Sequence, residues 1–84
     1  MNNFKFVILT PNEKLFDGEA ISLSTRGVEG ELAIMARHTP FITIIREGEC
    51  LVSTSDGEVK RYSIKHEGLL FVSKEDVKLI VAPE

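Results

Sequence analysis

Residues 49–64 read ECLVSTSDGEVKRYSI. Two runs of strand length, 49–54 and 58–64, flank Ser55-Asp56-Gly57. Glycine accepts the positive φ of a tight turn, so Asp-Gly between two such runs predicts a β-hairpin. The same pattern repeats in both directions. Upstream lie FKFVIL (4–9), LFDGEAISLS (15–24), ELAIM (31–35) and FITIIR (41–46). Downstream lie LLFVS (69–73) and DVKLIVA (76–82). The breaks carry turn residues: Pro11-Asn12, Gly27 to Gly30, Thr39-Pro40, Glu47-Gly48, Glu67-Gly68 and Lys74-Glu75. Short strands at spacings of about 8 to 12 residues define an all-β sandwich or barrel.

Alternation supports this reading. Phe4, Phe6 and Ile8 fall on one face, as do Val77, Leu79 and Val81. Ile21 and Leu23 alternate with Ser22 and Ser24. A period of two sends one side of a strand to the core and the other to water or a second layer. Gly18 lies inside the second run, where a bulge or bend is expected. The one helical candidate, Glu31 to Arg37, has no room between the upstream glycine and Thr39-Pro40.

Eighty-four residues predict one domain, 1–84, with no repeat and no linker. A chain of this size buries only about 60 percent of its unfolded surface. A thin core leaves little room for a deep cleft and suits a scaffold that works through its surface. Ten Lys and Arg against 13 Asp and Glu give a net charge of −3. The basic residues are scattered, which argues against a nucleic-acid partner. The N-terminal apolar run is broken by Lys5 and predicts a strand rather than a signal peptide. No stretch approaches the roughly 20 apolar residues of a membrane span. A soluble chain is expected, with membrane contact only through a partner.

No constellation for chemistry emerges. A nucleophilic triad needs a Ser or Cys beside a His and an orienting acid. No serine sits in a nucleophile elbow, and the single Cys50 lies mid-strand, the place of a small buried thiol. His38, Cys50 and His66 come from separate segments without paired metal-ligand spacing. The acids fall mostly in turns: Asp17, Glu29, Glu47, Asp56, Glu67, Glu75 and Asp76. Gly27 and Gly30 precede a strand and lack the GK[ST] ending of a phosphate loop. Phe4, Phe6, Phe16, Phe41, Tyr62 and Phe71 mostly fit core positions and lack interleaved basic residues. Catalytic, cofactor and metal residues are therefore all expected to be absent.

The stretch GVEGELAIMARHTP (27–40) stands apart. Pro40 fixes its own φ and restricts Thr39. Two readings of His38 stay open: a loop residue bonded to a neighbouring backbone group, or a rigidly held interface residue.

This stretch resembles the N-terminal domain of the epsilon subunit of F-type ATP synthases, which typically reads something like GELGILPGHAP here. In this chain the match is Gly30-Glu31-Leu32-Ala33-Ile34-Met35-Ala36-Arg37-His38-Thr39-Pro40. FVILTPNEKLFDGEA is similar to the family's first two strands, with Phe16, Asp17 and Gly18 at its Phe-x-Gly. IIREGE resembles a leucine-rich strand with its turn, and HEGLLFVSKEDVKLIVA the closing hairpin. Together the matches cover nearly the whole chain in order. Ala36 and Arg37 replace the family's proline and glycine, and Glu67-Gly68 stands for its Gly-Gly. The family's C-terminal helical hairpin has no counterpart in these 84 residues.

The resemblance implies a flattened β-sandwich of about ten strands in two sheets, with the run 15–24 dividing at Gly18. It implies a non-catalytic central-stalk subunit, without cofactor, that binds the gamma subunit and the c-ring and helps couple ion flow to ATP synthesis. Such a subunit sits peripherally at the cytoplasmic face of the bacterial inner membrane or its organellar equivalent. Carried over residue by residue, Glu29, Gly30 and Glu31 face the c-ring, where acids suit a basic loop. His38, Thr39, Pro40, Phe41 and Thr43 face gamma, and plain core remains the rival reading of Phe41. Without gamma, the isolated domain is open to self-association. The alternative from the residues alone is a small OB-like β-barrel module that binds oligonucleotides or peptides.

Overall fold

A computed structural model describes residues 3–36 and 39–82. They contain eight strands and no helix: β1 (Phe4–Leu9), β2 (Lys14–Gly27), β3 (Gly30–Met35), β4 (Phe41–Ile45), β5 (Gly48–Thr54), β6 (Val59–Ile64), β7 (Gly68–Val72) and β8 (Asp76–Val81). The strands match the eight apolar runs. The expected division at Gly18, which would have raised the count toward ten, does not occur.

β2 explains both the count and the architecture. Its first half pairs antiparallel with β1, from Ile8–Phe16 to Phe4–Ala20. Its second half pairs with β3 on that same edge and with β5 on the other. The inward positions are Phe16, Gly18 and Ala20, then Leu23, Thr25 and Gly27. The phase flips because the β2–β5 register shifts between Ala20 and Ser22. A bulge adds one residue, bends the strand and inverts which side faces in. β2 therefore passes unbroken from one layer to the other. Ile21 is left 38% exposed while Leu23 is fully buried, so the two do not share a face as alternation predicted.

The two layers are thus parts of one continuous sheet. One layer runs β1-β8-β7-β4, with β1 parallel to β8. The other is β3, the second half of β2, β5 and β6. A single bridge, Gly27 to Ile45, joins β4 back to β2. The core between the layers holds Phe6, Ile8, Leu23, Ile34, Ile45, Leu70 and Leu79, all at most 1% exposed. Burying a side chain of this size is worth about 1.5–3 kcal/mol. Edge and tilted ring contacts run Phe4–Phe6–Phe16–Tyr62 and tie β1 to β6 across the layers. Phe71 departs from the expected core set: its neighbours Leu70 and Val72 point inward and it points out.

The predicted hairpin forms between β5 and β6. The Thr54 N–H donates to the Glu58 carbonyl at 2.8 Å, and the Gly57 N–H donates to the Thr54 carbonyl at 3.1 Å. Gly57 has φ 92°, a conformation that glycine adopts without the steric cost other residues meet.

Candidate interaction surfaces

The registers place four connections at one end of the sandwich. Gly27 pairs with Ile45, Ile45 with Gly68, Gly68 with Val81, and Gly48 with Ile64. Connections 10–13, 28–29, 46–47 and 65–67 therefore lie together. Each carries one exposed glutamate: Glu13, Glu29, Glu47 and Glu67. Arg46, Lys65 and His66 share this end. The Val28 N–H donates to the Ile44 carbonyl at 3.2 Å and the Arg46 N–H to the Arg26 carbonyl at 2.8 Å, which fixes the 28–29 turn against β4.

Glu29, Gly30 and Glu31 are all exposed at this end. Glu31 faces Arg26 across the β2–β3 ladder. Arg26, Glu31 and Glu49 line one shallow depression beside this turn. Arg61 of β6 reaches Glu49 at 3.5 Å. An ion pair as exposed as Arg61–Glu49 contributes little stability. Val28, at the tip of the turn, is 42% exposed and was not singled out from sequence.

Thr39 and Pro40 are exposed at the opposite end, beside the 55–58 and 73–75 turns. His38 and Arg37 lie outside the described residues. Thr39 and Pro40 are therefore separated from Glu29, Gly30 and Glu31 by the length of β3, while Thr43 lies midway along β4. Phe41 packs half-buried against the core, and Thr43 shares its direction and partial burial. Ile42 and Ile44, one position out of phase, are 65% and 41% exposed.

Ile42 and Ile44 belong to an apolar outer face that sequence reading did not isolate. Ile44 pairs with Leu69, which pairs with Ile80; Ile42 pairs with Phe71, which pairs with Lys78. Leu69 and Ile80 are 42% and 38% exposed. A groove of about 510 Å³ runs over Ile44, Leu69, Ile80, Pro11 and Ala82. A signal was available: FITII, LLFV and LIV are apolar on both strand faces. Strands covered on both faces read as near-continuous apolar runs rather than as alternation.

The inner layers hold one thiol. Cys50 is fully buried, and burial pushes it up to about 12, with the Thr25 hydroxyl beside it pulling the other way. It is not poised as a nucleophile, because the thiolate is the reactive form. Among the described residues no group of three His, Cys, Asp or Glu side chains is placed to hold a metal ion.

The chain is thus a β-sandwich with an acidic loop end and an apolar outer face, and comparison with known proteins places it in a family. Residues 3–83 match the family model of the ATP synthase delta/epsilon chain beta-sandwich domain. The chain belongs to that family. The ATP synthase epsilon chain of Sulfurimonas denitrificans is 33% identical over 81 residues, covering 96% of this chain and 62% of that protein. The epsilon chain of Propionigenium modestum, described as sodium ion specific, is 32% identical over 80 residues, covering 95% and 57%. This chain therefore spans about 60% of the length of these two relatives. A chain in the Euglena gracilis mitochondrial ATP synthase OSCP/F1/c-ring structure superposes with a TM-score of 0.86 at 18% identity, covering 94% of this chain and 50% of its own. One in the Tetrahymena thermophila central stalk/c-ring structure gives 0.79 at 14%, covering 95% and 63%. At these identities the likeness is one of fold.

Proposed function

We propose that this chain is the β-sandwich part of a central-stalk epsilon subunit, a non-catalytic rotor component that binds gamma and the c-ring and helps couple ion translocation to ATP synthesis. It works peripherally to the membrane, on the cytoplasmic face in a bacterium, and meets the membrane only through the ring. The observation that carries this reading is the outer face of β4, β7 and β8. Ile42, Ile44, Leu69 and Ile80 are contiguous there and 38–65% exposed. A contiguous exposed apolar patch on so small a domain marks an interface.

On this reading gamma meets the segment His38, Thr39, Pro40, Phe41 and Thr43, with the side-chain contact made by Ile42 and Ile44. Phe41 and Thr43 hold β4 in place from the core side. The ring meets the acidic end at Glu29, Gly30 and Glu31, where complementary charge sets register more than affinity. Rigidity of the paired strands lowers the ordering cost of both contacts, which suits a part that transmits torque.

The test is titration of the cognate gamma subunit with wild type and Ile44→Asp. Leaving a carboxylate unpaired within the contact weakens binding by about 3 kcal/mol. Equal binding by the variant would remove the apolar face from the interface. No binding by folded wild type would remove gamma as the partner.

A further inference from the structure

We infer that the unassembled chain pairs with a second copy of itself along the free edge of β3, closing two sandwiches into one continuous sheet. Among the described residues β3 pairs only with β2. The Val28 N–H and the Arg26 carbonyl point toward β4. Gly27 must then direct its own backbone groups to Gly30. Backbone direction alternates along a strand. The N–H and C=O groups of Glu31, Ala33 and Met35 therefore point away from β2, along an edge with no strand beside it among the described residues.

Self-pairing has a strict geometry. Positions with outward backbone groups must face one another, and those with inward groups likewise, so the fullest antiparallel register sets Ala33 opposite Ala33 of the second copy. Glu31 then faces Met35, and Leu32 faces Ile34. No like charges meet, and the small Ala33 side chains admit close approach at the twofold axis. Met35, 62% exposed, gains a neighbour on the outer face. Leu32, half-buried at the margin of the core, is covered on the inner face. Glu31 is the single charge on this strand, at its first turn-proximal position.

The other end of the same layer behaves oppositely. The Thr54–Glu58 hydrogen bond puts the outward backbone groups of β6 at Val59, Arg61 and Ser63. The fullest self-pairing of β6 would set Arg61 against Arg61, with Lys60 beside it. Charge of this kind is how proteins block an edge. β6 is guarded and β3 is open, and the open strand is self-complementary. A second copy fits it without any new chemistry.

The experiment is the molar mass of the 84-residue chain by light scattering and sedimentation across a concentration series, with Ala33→Glu, Ala33→Lys and Ile44→Asp. Wild type and Ile44→Asp are expected to reach twice the 9.4 kDa chain mass. Ala33→Glu and Ala33→Lys, each alone, stay monomeric, and their mixture dimerises. Amide exchange in the dimer slows at Glu31, Ala33 and Met35. A wild type that stays monomeric at every concentration overturns the inference. So does a dimer that survives in Ala33→Glu or is lost in Ile44→Asp, since either places the contact elsewhere. Circular dichroism of each variant shows that a lost dimer is not a lost fold.

Discussion

Gly68 and Ile80 pass so closely that a Cβ on Gly68 would stand 2.7 Å from the Ile80 carbonyl oxygen and 3.1 Å from Val81 Cγ1. The first contact is with backbone, which cannot swing aside. This approach seats β7 on β8 at the acidic end and sets the height of Leu69 and Ile80 on the apolar face. Gly68→Ala is expected to cost about 1–3 kcal/mol by overpacking, read as a lower urea midpoint at unchanged m-value. An unchanged midpoint would show that β8 shifts freely here.

β4 gives a paired prediction on adjacent residues. Ile42→Asp, on the exposed side, is expected to change stability by no more than about 0.5 kcal/mol. Phe41→Ala, on the core side, is expected to cost about 2 kcal/mol, less than a fully buried phenylalanine. Chemical denaturation of both variants checks the strand's phase. Similar losses in both would mean that β4 is rotated.

Cys50 predicts a loss of stability in alkali. Its folded pKa, about 12, lies above the ordinary 9.0 because burial opposes the thiolate. Above the unfolded value the unfolded chain gives up the proton and the folded chain keeps it. Stability from this group is therefore intact below pH 9 and falls between pH 9 and 12, by about 1.4 kcal/mol per unit. Cys50→Ala removes this part of the slope. Comparing denaturation curves of the two proteins isolates it from lysine and tyrosine titration. Folded wild type should also resist thiol reagents until it is unfolded.

Asp56 predicts the opposite sign in acid. The Thr54 hydroxyl and then the Glu58 backbone N–H hold its carboxyl below the usual range. Stability from this contact is present above the unfolded pKa and is lost as pH falls through the lower folded one. An NMR titration of the Asp56 carboxyl should show the depressed value in wild type and a return toward normal in Thr54→Ala.

The acidic end predicts a salt-sensitive contact. Glu29→Lys with Glu31→Lys is expected to weaken association of the gamma–epsilon pair with the c-ring, and to flatten its dependence on ionic strength. The same double variant should leave gamma binding unchanged, because that contact is made by the apolar side chains of Ile42 and Ile44. Pull-down on reconstituted rings at two salt concentrations reads both.

Much of the fold was legible in the residues. The Asp56-Gly57 turn and the phases of β1 and β8 could be read locally, because Lys5 in β1 and Asp76 and Lys78 in β8 mark the outward side. β2 could not. Its bulge at Ile21-Ser22 carries no glycine or proline, while Gly18, which does look like a break, sits in a regular strand beneath the Phe16 ring. The site was legible in kind and less so in placement. The exposure of Glu29 and Glu31 was legible from the turn, but the exposure of Ile42, Ile44, Leu69 and Ile80 was hidden in largely apolar strands.

By itself the sequence determined eight strand-length runs and their turns. These follow from period-two patterning and turn chemistry, which act over a few residues, whereas the resemblance to ATP synthase epsilon chains rests on matched residues along the chain. Tertiary structure alone decided that β2 serves two layers, that Ile42 rather than Phe41 meets solvent, and that four separated glutamates share one end. Those outcomes depend on which strand lies beside which, and long-range register is set by the packing of the whole core.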